Sequence, residues 1–173
     1  LTTCWGGTGV ETWTPWAEQA DDPFALVRKA ELDESAKGYS PEKAQADYEL
    51  KLETWKKRSA AAKGTKKRAL RKPSIKGDPR LDQNYPGNLY NGMIHPLAPF
   101  AVKGALWYQG ENNAKEMAQA EHYRIQLARM VCSWRKAWGQ DFPFYSVQLP
   151  NFKDPQVKPV ELDNIWAMIR ESF

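Results

Sequence analysis

The sequence is poor in the residues from which metal and redox sites are built. It contains two cysteines and two histidines in 173 residues, and Cys4, Cys132, His95 and His122 do not follow the ligand spacing of a zinc site. We therefore predict that the chain binds no metal, and no motif indicates an organic cofactor. Both cysteines lie in apolar stretches, which is typical of buried free thiols.

Long apolar runs and a local nucleophile motif are missing as well. No run reaches the roughly 18 apolar residues that a membrane span needs, and the G-x-S-x-G elbow of α/β-hydrolases does not occur. The sequence opens at Leu1 without a methionine or a charged leader, and it closes inside a helical pattern at Phe173. We therefore expect a fragment of a longer protein.

The composition, 42% hydrophobic and 12% aromatic, is that of a globular domain. The net charge of +4 is unevenly placed, because nine Lys or Arg and no acidic residue lie between Lys56 and Lys72. We interpret this stretch as a solvated basic segment and predict no nucleic-acid partner. A basic helical module that binds nucleic acid or an anionic surface is the alternative, and steep salt dependence would favour it.

Hydrophobic periodicity predicts a three-layer α/β fold in which helices flank a parallel sheet. Ser40-Pro41 is a typical helix start, and Gly64 is a plausible stop. The predicted strands are 1–5, 102–108 (buried on both faces) and 144–149 (also buried), and the predicted helices are 42–63, 115–138 and 161–173. We assign residues 1–20 and 86–173 to one domain and interpret residues 21–85 as an inserted, Lys-rich helical arm and linker.

Three polar loops follow the predicted strands: Gly6-Gly7-Thr8, residues 109–113 and Pro150-Asn151. If the strands are parallel, the loops share the carboxyl edge of the sheet, where ligands of such sheets bind. Glycine amides and an asparagine side chain that converge there would be donors for a developing oxyanion. The pattern therefore indicates acyl-transfer chemistry without its nucleophile.

Four ordered blocks resemble the bacterial sialate O-acetylesterase-like family. Residues 107–114 (W-Y-Q-G-E-N-N-A) are similar to its W-Y-Q-G-E-S-N-A block, and residues 5–13 resemble its W-G-G-T-x-x-E-x-W block. Residues 89–94 are similar to the segment just upstream of the first of these, and residues 142–152 fit the strand that follows it.

The resemblance implies an SGNH hydrolase fold and a Ser-His-Asp mechanism that removes acetyl groups from a sugar or polysaccharide. The family's G-Q-S-N-like and D-x-x-H blocks are not present in this sequence, so the chain alone is expected to be inactive. The oxyanion side carries over to Gly7 (or Gly6) and Asn113, and Gln109, Gly110 and Glu111 would line or brace the pocket. Family members are often exported, which implies a periplasmic or extracellular location.

Each of these residues also has a purely structural interpretation. Gly6-Gly7 could be a tight turn, Asn113 could be a helix N-cap, and Gln109 and Glu111 could be structural. The remaining polar candidates are assigned no catalytic role: His95 as a core or loop residue, His122 as a surface residue and Ser133 as part of a helix. Asn112 stands where the family has Ser, which puts the support of Asn113 in question. The alternative function is a non-catalytic or degenerate carbohydrate-binding domain.

Overall fold

The computed structural model describes residues 3–61, 70–150, 152 and 164–173. Within these ranges the chain is rich in helix and has one small parallel sheet, so the architecture is mixed α/β. Its regular elements are α1 (Pro23–Lys37), α2 (Pro41–Ala61), β1 (Ala105–Trp107), α3 (Met117–Trp138), β2 (Phe144–Ser146) and α4 (Ile165–Arg170). Single helical turns lie at Val10–Trp13, Trp16–Glu18, Pro79–Leu81, Tyr90–Ile94 (a π-turn), His95–Leu97 and Glu111–Asn113.

The central helix α3 confirms the prediction of a helix over residues 115–138. Its apolar stripe faces the core, since Tyr123 and Met130 are fully buried and Trp134 is nearly so. The helix ends at Gly139, which adopts the left-handed conformation with φ of 60° and donates its N–H to the carbonyl of Lys136.

Strands β1 and β2 pair in parallel, and the βαβ crossover that joins them contains α3. Ala105 lies opposite Phe144, and Trp107 lies opposite Ser146. Parallel pairing was predicted and is confirmed for these two strands. The described residues contain two strands, so a full three-layer arrangement stays a prediction.

The predictions that strand 102–108 is buried on both faces and that strand 144–149 is buried are wrong for the described residues. Trp107 packs toward α3, with its ring 5.7 Å from that of Trp134. Leu106, which points the opposite way because side chains alternate along a strand, is 82% exposed, and its neighbour Tyr145 is 61% exposed. One face of the sheet is therefore covered and the other is open.

The N-terminal segment is not a strand over its described part. Residues 3–5 have no regular structure, because no partner strand pairs with them within the described ranges; residues 1 and 2 lie outside those ranges. The chain enters the core at Val10, which is fully buried, and at Trp13, whose ring meets Trp107 at 5.7 Å. The turn Val10–Trp13 thereby brings the first polar loop to the core that α3 and the sheet form.

By contacts, the chain divides into two compact units. One unit runs to Ala30 and resumes from Gln83 to the C-terminus, and the other spans Glu31–Asp82. In the second unit, α2 begins as predicted, with the Ser40 hydroxyl accepting the Lys43 N–H at 3.1 Å. The assignment of residues 21–85 as an insertion stays a prediction, and the predicted stop at Gly64 lies outside the described residues.

Candidate active site

The loop that follows β1 places two predicted residues, Gln109 and Asn113, inside the protein. Gln109 is buried, and its Nε2 donates to the carbonyl of Thr8 at 2.8 Å and to Asn113 Oδ1 at 2.9 Å. Its Oε1 accepts a hydrogen bond from the Tyr123 hydroxyl at 2.8 Å. Since these bonds occupy both ends of the amide, Gln109 braces the site.

Asn113 connects the two loops that carry the family-like blocks. Its Oδ1 accepts the backbone N–H of Val10 at 2.9 Å, and its Nδ2 donates to Oε1 of Glu11 at 3.0 Å. The side chain is fully buried. The second N–H of Nδ2 makes no hydrogen bond within the part of the chain that the structure describes. Asn113 is not a helix N-cap, because it ends a one-turn helix (Glu111–Asn113) and the N-cap of α3 is Glu116.

Gly6 and Gly7 form the exposed rim of the first loop. Gly7 has φ of +72°, in the left-handed region that favours glycine. A Cβ placed on either residue would meet nothing within 4 Å. Among the described residues, no acceptor takes the backbone N–H of Gly7. This N–H is consequently an available donor at the protein surface.

Gly110 and Glu111 differ from each other in environment. Gly110 is buried with φ of +150°, and a Cβ there would lie 3.1 Å from Leu149 Cδ1 and 3.4 Å from Ile169 Cδ1. Close packing against these two side chains thus requires glycine at this position. Glu111 is exposed on the short helix that leads to Asn113. Glu111 therefore presents its carboxylate to solvent, whereas Gly110 is part of the packed interior.

A buried polar chain continues from Glu11 to α3, and sequence reasoning missed it. Gln126 Nε2 donates to Asp22 Oδ1 at 2.9 Å and approaches Glu11 Oε1 at 3.4 Å. Asp22 Oδ2 lies 2.6 Å from Nε2 of His122. His122 is therefore paired and only partly exposed, not the surface residue that was predicted. The signal was Gln126 itself, a polar residue beside the apolar stripe of α3.

Tyr123 closes the network on the side of the sheet. Its hydroxyl accepts the indole N–H of Trp107 at 3.2 Å and donates to Gln109. Burial raises the pKa of the Tyr123 phenol well above its usual range; the Trp107 hydrogen bond opposes this shift, and the Glu11 and Glu111 carboxylates add to it. The phenol is thus a neutral, fixed donor at ordinary pH.

The other polar candidates lie away from this network. His95 is exposed, with its ring 5.8 Å from that of Tyr90, and the hydroxyl of Ser133 donates to the carbonyl of Met130 within α3. Cys4 and Cys132 are free as predicted, but both are exposed. The prediction of buried thiols is wrong because an apolar flank does not show which way one side chain points.

No group of three or more His, Cys, Asp or Glu side chains within the described ranges is arranged to hold a metal ion. Likewise, none of the helices in those ranges combines the length and the apolar character that crossing a bilayer demands.

Comparison with known families decides the assignment. The family described as carbohydrate esterase, sialic acid-specific acetylesterase matches residues 19–171, which is most of the chain. The chain belongs to this family. Its relatives accordingly include named hydrolases, and the resemblance expected from the sequence blocks is confirmed.

Two curated relatives match a shorter stretch of the chain. Sialate O-acetylesterase of Rattus norvegicus is 39% identical over 72 residues, covering 37% of this chain and 13% of the relative. The Homo sapiens enzyme is 38% identical over 69 residues, covering 35% of this chain and 13% of the relative. The chain thus spans about an eighth of the length of these relatives, 13% in each case.

A solved structure also resembles part of the chain. It is the crystal structure of a novel carbohydrate acetylesterase from Xanthomonas citri, with 44% sequence identity and a TM-score of 0.44. The match covers 52% of this chain and 20% of that protein.

Proposed function

We propose that this chain supplies the oxyanion-binding side of a carbohydrate acetylesterase that hydrolyses O-acetyl esters on sugars. The nucleophilic Ser and the Asp-His pair would come from residues outside this sequence, as the short coverage of the relatives supports. The observation that carries the proposal is the convergence of the two loops, in which Asn113 bonds to Val10 and Gln109 bonds to Thr8.

In the proposed mechanism, the Ser hydroxyl attacks the acetyl carbonyl while the His accepts its proton. The carbonyl oxygen becomes an oxyanion, and the N–H of Gly7 and the second N–H of Asn113 Nδ2 stabilise its charge. The His then protonates the departing sugar hydroxyl, which leaves an acetyl-enzyme. Water, deprotonated by the same His, cleaves this ester and releases acetate.

The buried side chain of Asn113 can act in one of two roles, as a donor to the oxyanion or as a positioning residue. As a donor, it reaches the oxyanion only when the Gly6–Gly7 rim admits the substrate carbonyl to a side chain that is fully buried in this structure. As a positioning residue, it fixes the loop through Val10 and leaves Gly7 as the direct donor. Gly110 belongs to the supporting structure, and Glu111 is the side chain of the loop that would contact a sugar hydroxyl.

The test is acetate release from an O-acetylated sialic acid by the whole protein in which these residues occur. Asn113→Ala is expected to lower kcat about 100- to 1,000-fold if Asn113 is an oxyanion donor. Asn112→Ser, one residue away and partly exposed, is the matched control and should stay within a few fold of the parent. The 173-residue chain alone should release no acetate. Hydrolysis by that chain, insensitive to every change in residues 1–113, would rule out the assignment.

A non-catalytic carbohydrate-binding role is the second candidate, because the complete burial of Asn113 argues against a donor that contacts the substrate. In that case the network only stabilises the fold, and the whole protein would bind acetylated sugars without releasing acetate. Asn113→Ala would then lower the melting temperature and leave no kinetic effect to measure. Export and the absence of a nucleic-acid partner remain predictions from the sequence.

A further inference from the structure

A concave site lies within the unit Glu31–Asp82, and no residue of the proposed oxyanion side contributes to it. It is a cavity of about 210 Å³ at the start of α2, where the segment around residues 74–79 returns past the helix. All of its lining residues lie between positions 35 and 79, so the cavity is formed by this unit alone.

The lining of this cavity is positively charged. Lys43, Lys51 and Lys76 contribute three ammonium groups, and Asp47 contributes the single carboxylate, which leaves a net charge of +2. Within the described part of the chain, none of the three lysines forms an ion pair. A concave surface lined mainly by charge of one sign raises the local concentration of ligands of the opposite sign.

The start of α2 adds little to the same field. α2 is 21 residues long and begins at the cavity, where Ser40, one of the lining residues, occupies the capping position. Pro41, the first helical residue, has no N–H, and the Ser40 hydroxyl accepts the N–H of Lys43 at 3.1 Å, so this helix start offers few free donors. The helix dipole favours an anion, but the Glu42 carboxylate in the first turn opposes it. The three lysines therefore supply most of the attraction.

Aromatic side chains give the cavity a second chemical character. Tyr39 and Tyr48 line it, and both are partly buried; a tyrosine combines an apolar ring with a polar hydroxyl. Apolar ring faces combined with a few convergent polar groups are typical of small-molecule sites. The carboxylate of Asp47 can accept hydrogen bonds from the hydroxyl groups of a sugar. This contact would favour an acidic sugar over a bare inorganic anion.

We infer that this cavity, hereafter the arm cavity, binds an anionic sugar residue, with its acidic group at the lysines and its ring against the tyrosines. The inference goes beyond the proposed esterase function and does not depend on it, because binding here requires no ester and no nucleophile.

The test is binding of five probes to the 173-residue chain at low ionic strength, measured by NMR titration. N-acetylneuraminate and glucuronate carry carboxylates, glucose 6-phosphate carries a phosphate, glucose is neutral, and inorganic phosphate has no sugar ring. At least one acidic sugar is expected to bind at least about 10-fold more tightly than glucose, and to weaken as salt is added. Comparison of the carboxylate and phosphate probes then identifies the acidic group. Equal binding of glucose, or binding of inorganic phosphate as tight as that of glucose 6-phosphate, would overturn the inference.

Variants of the chain locate the binding. The triple change K43Q/K51Q/K76Q should weaken binding of the acidic sugar by on the order of 10-fold. The control K56Q/K57Q/K72Q removes the same charge from positions outside the cavity lining and should have at most a small effect. If both triple variants weaken binding equally, the attraction is diffuse and the site is refuted.

A variant that is expected to bind more tightly distinguishes loss of the binding site from loss of the fold. Asp47→Asn removes the only negative charge of the lining but keeps an oxygen that can accept from a sugar hydroxyl, so it should tighten binding of the acidic sugar about 2- to 5-fold. A damaged fold cannot mimic a gain of affinity. Weaker binding by this variant, with an unchanged circular dichroism spectrum, would contradict the assigned orientation of the charges.

Discussion

Oε1 of Glu11 accepts a hydrogen bond from Nδ2 of Asn113 at 3.0 Å, and both residues are buried. The bond joins positions 102 residues apart in the chain, so it ties the first polar loop to the loop after β1. A buried carboxylate is stable only when donors surround it, and Gln126 Nε2 at 3.4 Å is a second, weaker one. Asn113 is thus a structural partner of Glu11 as well as a candidate for catalysis.

The amide at position 113 should be essential for stability because of this pairing. Asn113→Asp replaces the donor to Glu11 with a second buried carboxylate, and two adjacent carboxylates cannot both ionise without a large cost. We expect a loss of roughly 3–5 kcal/mol in the free energy of unfolding at pH 7. The pKa of the new carboxyl would be raised in the fold, so the loss should be small at pH 4 and should grow as the pH rises. Urea denaturation at both pH values measures it; a pH-independent loss would contradict the pairing.

Gly9 is required by the same carboxylate. A Cβ at this position would lie 2.1 Å from Oε2 of Glu11, and the network holds that side chain in place. Gly9→Ala should therefore lower the free energy of unfolding by about 1–3 kcal/mol through overpacking. Gly6→Ala is the matched control, since a Cβ there meets nothing within 4 Å, and its effect should be below about 0.5 kcal/mol. Equal effects of the two variants on the denaturation midpoint would show that Glu11 is free to move.

Tyr123 should make the fold sensitive to high pH. Burial raises the pKa of its phenol above the value of about 10 that a tyrosine has in an unfolded chain. Its contribution to stability is therefore complete below pH 10 and is lost as the pH rises further, by at most about 1.4 kcal/mol per unit. Tyr123→Phe should cost about 1–3 kcal/mol at pH 7, because Trp107 and Gln109 each lose a partner.

The measurement for Tyr123 is the slope of unfolding free energy against pH from about pH 10 to 11.5. The slope of Tyr123→Phe should be shallower than that of the parent, since other tyrosines titrate equally in both proteins. Parallel slopes would mean that the phenol is not buried in the folded chain.

Local periodicity predicted the elements that form most of the core. The stripe of Tyr123, Met130 and Trp134 repeats over a long helix, and the apolar strands on either side of that helix pair in parallel. Helix α1 was not predicted as a separate element. Its Leu26 and Val27 are exposed, and Ala25 is the one residue of the helix that is fully buried. A helix with so narrow an apolar face leaves little periodic signal.

The predicted site residues divide according to whether a local pattern determines their environment. The glycines of the first loop follow from turn chemistry, but the exposure of Gly7 and the packing of Gly110 depend on residues far away in the sequence. Glu11 lay within a recognised block, and its partner Gln126 lies 115 positions away. Contacts of that kind arise from tertiary packing, which no window of one sequence contains.

Asp22 should hold the far end of the buried polar chain, and its removal tests whether that chain contributes to stability. Its Oδ1 accepts the N–H groups of Phe24 and Ala25 at the start of α1 and the Nε2 of Gln126, while its Oδ2 meets His122 at 2.6 Å. Asp22→Ala removes a helix cap worth about 1 kcal/mol and leaves a buried donor unpaired at about 1–3 kcal/mol.

We therefore expect a loss of about 2–4 kcal/mol for Asp22→Ala in urea denaturation at pH 7. Asp22→Asn keeps an oxygen for the cap and for Gln126, so it should lose less than half as much. The neighbouring Asp21 also contacts α3, through Arg129 at 2.8 Å, but its side chain is 80% exposed. Asp21→Ala should consequently change stability by less than about 1 kcal/mol. If Asp21→Ala and Asp22→Ala are equally destabilising, surface charge and not the buried network anchors the start of α1 to α3.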